Sequence, residues 1–208
     1  MHLLEACLQW REATGEGRFL DVAARMVALF EARFFDRDTG TLREFFAADL
    51  SPAGGRDGEV VAPGHHFEWF WLLNWAKARG AGDALTEADA LYAYAARHGL
   101  DAQLLAVDEC DRAGRIVRAS RRLWPQTELI KGHLTKAREG VPGAHEAAAD
   151  VALKVLDTYL ATEIPGLWMD QFDADGRGMT EAAPASSLYH VVVAFRELML
   201  FAEGGQAP

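Results

Sequence analysis

Cysteine is nearly absent. Cys7 and Cys110 are the only two in 208 residues. They stand in no CxxC or Cys/His ligand spacing, which excludes a disulfide framework or a cysteine metal site and predicts reduced thiols. Basic charge is short as well: Lys and Arg number 21 against 31 Asp and Glu, for a formal net charge of −10. No basic stripe offsets this, so nucleic acid and anionic membranes are disfavoured as partners by long-range repulsion. Long apolar runs are missing. Spanning a bilayer takes roughly twenty apolar residues, and the closest run, Val191 to Phe195, is cut by Arg196 and Glu197. Nor does the stretch from Met1 to Arg11 show the basic, apolar and small-residue succession of a secretory signal. Together these absences predict a soluble, cytoplasmic protein. No low-complexity linker divides the chain, and half of its residues are apolar. It therefore reads as a single domain over residues 1–208 with a substantial core.

What is present is helical periodicity. Between Phe19 and Phe35 the apolar residues Val22, Ala23, Met26, Val27, Leu29, Phe30 and Phe34 recur at steps of three and four, with Asp21, Arg25 and Glu31 between them. Similar patterns over about residues 2–13, 65–79, 84–98, 124–138, 143–161 and 186–203 predict about seven helices, an all-α fold. Three acidic turns separate helix pairs: Asp36-Arg37-Asp38-Thr39-Gly40, Asp111-Arg112-Ala113-Gly114 and Asp173-Ala174-Asp175-Gly176. Flanking apolar residues predict a short β-hairpin around each. The result is a loose repeat of helix, helix, hairpin, and such units bury their apolar faces by stacking into a solenoid or a closed toroid. The third turn offers two carboxylates but lacks the alternating ligands and final glutamate of a calcium loop, so an ordinary turn is expected.

Three helix starts carry a proline followed by polar groups: Pro63-Gly64-His65-His66-Phe67-Glu68-Trp69, Trp124-Pro125-Gln126-Thr127-Glu128, and Ala183-Pro184-Ala185-Ser186-Ser187-Leu188-Tyr189-His190. Proline suits the first helical position, where its missing N–H would be unpaired anyway, so each segment is expected to place polar groups on a first turn. His65 and Glu68, three apart on one face, predict a carboxylate that orients an imidazole and makes it a usable general base. A satisfied core histidine is the competing reading. His66 points elsewhere and reads as packing. His190, alone, reads as a core histidine. Trp124 beside Gln126 and Glu128 combines a flat apolar ring with hydrogen-bonding groups, which suits a sugar, whereas Trp71 and Trp75 read as core. His2 reaches a site only if its helix is an inner one; His98 suits a helix C-terminus, and His133 and His145 read as peripheral. Neither HExxH nor HxxEH is present, so no metal is expected. Ser186 and Ser187 near His190 lack a G-x-S-x-G elbow, which argues against a serine nucleophile.

The stretches MHLLEA at 1–6, PGHHFEW at 63–69, WPQTELIKG at 124–132, and GLWMDQFDADG with APASSLYH across 166–190 resemble successive motifs of the N-acylglucosamine 2-epimerase superfamily. That superfamily includes N-acylglucosamine and cellobiose 2-epimerases and mannose or phosphomannose isomerases. The resemblance implies an (α/α)6 barrel with a central sugar site and no metal or redox cofactor. It implies that His65 and His190 transfer protons at C1/C2 of a ring-opened hexose, that Glu68 supports His65, that His2 assists ring opening or binding, and that Trp124 lines the pocket, beside which Gln126 and Glu128 are the expected sugar-binding groups. The motif pattern is nearer the mannose or mannose-6-phosphate isomerase branch, with N-acylglucosamine 2-epimerase as the alternative substrate class. For a phosphosugar, Arg121, Arg122 and Lys131 are the nearby cations. Members of the superfamily are close to twice this length, and MHLLEA resembles an interior motif of theirs. The resemblance therefore implies a partial barrel, pairing with a missing N-terminal half or with a second copy, or a non-catalytic half-barrel that binds a sugar or a partner protein through an exposed inner face.

Overall fold

The computed structural model describes residues 1–179 and 182–204. Within them the chain forms seven α-helices: α1 (His2–Thr14), α2 (Gly17–Leu29), α3 (Pro63–Ala78), α4 (Leu85–His98), α5 (Leu123–Arg138), α6 (Ala144–Lys154) and α7 (Leu188–Ala202). These are the helices the apolar spacing predicts. Helices α2 and α6 run on into π-helical turns, Phe30–Phe34 and Val155–Leu160, which is why their apolar patterns extend so far.

Each even-numbered helix packs on the odd-numbered helix before it, and the odd-numbered helices pack in succession, α1 on α3, α3 on α5 and α5 on α7. The faces dictate this layering. Helix α2 buries one stripe, Ala23 and Val27, continued by Phe30 in the turn that follows, so it needs a single neighbour. Helix α3 buries Phe67, Trp69, Phe70, Trp71, Leu72, Leu73 and Trp75, and a helix apolar nearly all round must have neighbours on several sides. One core unites Leu4, Leu8, Phe30, Phe70, Trp71 and Trp75, with Val193 of α7 packed against it. A second unites Phe67, Leu129, Ile130, Leu134, Val151 and Tyr159, with Val191 and Phe195 of α7 against it. Helix α7 thus touches both cores.

Short strands lie before α3, α5 and α7. β1 (Phe35–Asp36) pairs antiparallel with β2 (Thr41–Leu42), and β4 (Glu109–Asp111) with β5 (Ile116–Arg118), around the first two acidic turns. The third turn joins β7 (Gln171–Phe172) to a bridge between Phe172 and Gly178. All three turn glycines take φ between +68° and +83°. Asp111 and Asp173 each accept two backbone N–H groups of their own turn, and Asp36 accepts one, the local bonding that makes aspartate a turn former. The third is therefore a turn, braced further by Arg177 on Asp175 at 2.8 Å. Two pairings differ from a simple hairpin repeat: β3 (Val60–Val61) adds to β4, and β6 (Arg121–Arg122) pairs with β7.

The helix starts also differ from expectation. Pro63 is the first residue of α3, but α5 begins at Leu123, two residues before Pro125, and Pro184 precedes a 3-10 turn, Ala185–Ser187, that leads into α7. Strand β6 runs directly into α5, which places Pro125 inside that helix's first turn. Ala185–Ala202 is, by length and hydropathy, apolar enough to cross a membrane, but His190 and Glu197 on it are buried, and Glu197 pairs with Arg138 of α5 at 3.1 Å. The opposite side of α7 carries Leu188, Val192 and Met199, each about half exposed or more.

Candidate active site

The first turns of α1, α3, α5 and α7 meet. They bring His2, His65, Trp124 and His190 to one pocket of about 300 Å³, completed by Glu68, Arg122, Ser186, Ser187 and Tyr189. Parallel inner helices explain this: motifs about sixty residues apart in sequence become neighbours when each sits at the same end of its helix. Backbone N–H groups at these ends give the pocket a partial positive potential.

Trp124 neighbours both imidazoles, its ring centroid 4.9 Å from that of His65 and 5.5 Å from that of His190. Each imidazole is backed by a carboxylate. Nδ1 of His190 lies 2.7 Å from Glu128 Oε1, and the other Glu128 oxygen is 2.7 Å from the Lys131 ammonium, with all three groups buried. Burial alone would raise the Glu128 carboxyl, but the Lys131 charge and the hydrogen bond from His190 overcome it and hold the group below its ordinary range. Lys131 also lies 3.8 Å over the Trp71 ring, which helps a desolvated ammonium.

Nδ1 of His65 lies 2.7 Å from Glu44 Oε2. Here the structure corrects the expectation: Glu68 does not orient His65. A three-residue step puts both on the same side of α3, but Glu68 lies buried at the pocket wall, with neither oxygen hydrogen-bonded and His2 Nε2 at 3.8 Å. Burial first, and then the Glu128 charge, push its carboxyl well above the ordinary range against the opposing charge of Lys131. Glu5 is raised by the same burial. The centre of the helical layer thus holds three carboxyl groups with one ammonium.

Gln126 is also corrected. It is fully buried, its carbonyl accepts the Ala106 N–H at 2.7 Å, and its amide donates to Ala106 and Arg122 carbonyls. It clamps a loop and faces no pocket. Glu128 stands behind His190 instead of lining the pocket. Of the three cations near Trp124, Arg121 is buried against Asp101 at 2.6 Å and Lys131 serves Glu128; only Arg122 reaches the pocket wall. His66 is packed as expected. His133 is less peripheral than expected, since its Nδ1 is 2.9 Å from the Tyr92 hydroxyl, whereas His145 is exposed. Ser187 donates to Asp170 at 2.8 Å and not to His190.

Glu68, Glu128 and His190 bring ligand atoms within 4.8 Å of one another. Lys131 already supplies a positive charge there, and a divalent cation would sit against it. Sequence reasoning missed Glu44 and Tyr189. The Tyr189 ring lies 3.9 Å from that of His190; its place inside a quoted motif was the available signal. Glu44 had none.

Paired helices in two layers, with the starts of the inner ones converging on a polar pocket, define a half of an (α/α)6 barrel. The chain belongs to the N-acylglucosamine 2-epimerase (GlcNAc 2-epimerase) family, whose sequence model matches residues 1–194. It is 37% identical over 206 residues to a mannose-6-phosphate isomerase of Rhizobium meliloti (strain 1021), covering 95% of this chain and 53% of that protein. The structure is similar to that of a sugar epimerase from a ruminal bacterium, with a TM-score of 0.79 at 19% identity over 99% of this chain and 53% of that one. It is similar also to a D-mannose isomerase, with a TM-score of 0.77 at 17% identity over 94% of this chain and 54% of the other. The chain spans about half the length of these relatives.

Proposed function

We propose that this chain acts as a sugar isomerase or epimerase at C1/C2 of a ring-opened hexose, with His65 and His190 as the acid/base pair. The observation that carries the reading is the pair of carboxylate-backed imidazoles that line one pocket, each beside the Trp124 ring. The C2 proton, alpha to the aldehyde, passes to one imidazole and leaves an enediolate. Return of a proton to the opposite face of C2 inverts that centre; delivery to C1 gives the ketose. A base near neutral pKa suits either outcome. Trp124 offers an apolar face to the sugar C–H groups, and His2, at the pocket mouth, serves ring opening or hydroxyl binding.

Mannose or mannose-6-phosphate is the substrate this reading favours, because Arg122 is a cation at the pocket wall and the 37%-identical relative is named for the phosphorylated sugar. N-acylated hexosamines are the alternative. The test is incubation of the 208-residue chain in deuterated water with mannose, mannose-6-phosphate, glucose and N-acetylmannosamine, following C2–H and product signals by NMR. Exchange or a new sugar supports the reading and names the branch. No exchange from a sample that melts cooperatively overturns it for this chain, in favour of a non-catalytic half-barrel that binds a partner or pairs with further barrel helices. The exposed apolar side of α7 favours that second reading.

A further inference from the structure

His65 takes its partner from the segment between β2 and α3, which carries no recognisable motif. The Glu44 side chain is only 9% exposed and is held at both oxygens: Oε2 by His65 at 2.7 Å, and Oε1 by the Ala62 N–H at 3.2 Å. Ala62 immediately precedes α3, so the carboxylate sits at that helix's N-terminus, where the aligned peptide dipoles favour negative charge. No Lys or Arg among the described residues forms an ion pair with Glu44. The two carboxylates behind the two imidazoles are therefore unlike. Glu128 divides its charge between His190 and Lys131, while Glu44 keeps its charge for His65.

Resting on the proposed function, we propose that Glu44 is a positioning residue for His65: it fixes the ring orientation and the tautomer with Nδ1–H on the carboxylate, leaving Nε2 as the nitrogen that exchanges a proton with the sugar. In the step itself the C2–H bond breaks, its proton forms a bond to Nε2, and the electron pair stays on the sugar as the enediolate. The Nδ1 proton remains shared with Glu44, whose charge stabilises the imidazolium so formed. The groups facing His65 are Glu44, Glu128 of α5, Arg122 before α5, and His2 of α1. Burial is the largest single influence and opposes protonation, but the Glu44 charge and hydrogen bond, with Glu128, outweigh it and Arg122, so the ring holds its proton above the ordinary histidine range.

The test compares wild type with Glu44→Gln, with His65→Gln to assign the ring signals. Nitrogen-detected NMR of the wild-type imidazole should show the Nδ1–H tautomer with a protected, downfield proton, a reading that needs no variant to fold. In Glu44→Gln the His65 titration midpoint should move to lower pH. The acid limb of the pH–kcat profile should move to lower pH with it, and kcat should fall roughly tenfold or more with KM within about twofold. A His65 titration and tautomer unchanged in a cooperatively melting Glu44→Gln variant would overturn the proposal, as would the opposite tautomer in wild type. Because the ring is read without turnover, a wild-type protein that exchanges no sugar refutes the proposed function and leaves the Glu44 contact to be judged by NMR alone.

Discussion

His65 and His66 are adjacent in sequence, and what lies within hydrogen-bond reach gives them opposite chemistry. His66 is fully buried; its Nε2 accepts the Leu42 N–H at 3.1 Å, and its Nδ1 donates to the Ala62 carbonyl at 3.2 Å. Acceptance at Nε2 fits the neutral ring only. Burial, the largest influence, lowers its pKa from 6.5 to about 4 against the Glu44 charge. The unfolded chain therefore binds the proton first as pH falls, so stability is lost between 6.5 and about 4, by about 3 kcal/mol for this ring. His66→Gln keeps an acceptor but cannot titrate. Melting temperature against pH should fall less steeply over that window in the variant than in wild type; equal slopes would assign the acid loss elsewhere. Arg122 makes the second prediction at this scale. It is the cation on the pocket wall, 3.6 Å from Asp108, and a charge-assisted bond to phosphate contributes about 1.5–3 kcal/mol. In Arg122→Gln the KM for mannose-6-phosphate should rise roughly tenfold or more while that for mannose stays within about twofold. An equal effect on both sugars would remove Arg122 from phosphate recognition. The placement of His65, His66 and Trp124 was legible because helix starts announce themselves in sequence. The partner of His65 was not, because Glu44 lies 21 positions away in a segment whose path is set by tertiary contacts, and spacing offered the nearer, wrong carboxylate. Gln126 failed for a related reason: a polar residue in a promising motif can satisfy a loop backbone as readily as a ligand.

At the level of elements, the pocket depends on how closely α3 and α5 start side by side. A Cβ on Gly64 would come within 2.7 Å of the Trp124 ring and 2.9 Å of Pro125, so glycine is what lets the Trp124 indole lie against the α3 start. Its role is close approach. Gly64→Ala should cost roughly 1–3 kcal/mol by overpacking, seen as a lower midpoint in urea. It should also shift tryptophan fluorescence, since the indole must move out of its place beside the imidazoles. An unchanged midpoint would mean that the two helix starts separate freely. The presence and order of the seven helices were readable because local periodicity specifies each of them, though not where each starts. The β3–β4 and β6–β7 pairings were not, since they join segments about fifty residues apart through strands of two or three residues, too short to carry a pattern of their own. The π-helical turns were likewise invisible: an apolar stripe continues through them.

For the molecule as a whole, the physical fact that stands out is an apolar face on α7 beside a polar interior. Leu188, Val192 and Met199 are 49%, 57% and 64% exposed, and with Leu156, Leu160, Val191 and Phe195 the latter two border a groove of about 570 Å³. Helix α7 thus buries His190, Ala194 and Glu197 on one side and carries an apolar stripe on the other, the pattern of a helix with neighbours on more than one side. The sequence carried that signal in the unbroken apolar run through Phe201. A chain that spans about half of its relatives presents this stripe to water, and contiguous apolar surface of this kind binds dyes and other apolar ligands. The folded protein should therefore enhance anilinonaphthalene sulfonate fluorescence at pH 7, well below its unfolding temperature. Met199→Glu with Val192→Glu should abolish most of that signal, and being largely exposed positions they should change stability by no more than about 0.5 kcal/mol each. A loss of cooperative melting in the double variant would show instead that the stripe is covered in solution, and dye binding that survives it would locate the apolar surface on another face, such as the side of α1 that carries Leu3 and Trp10.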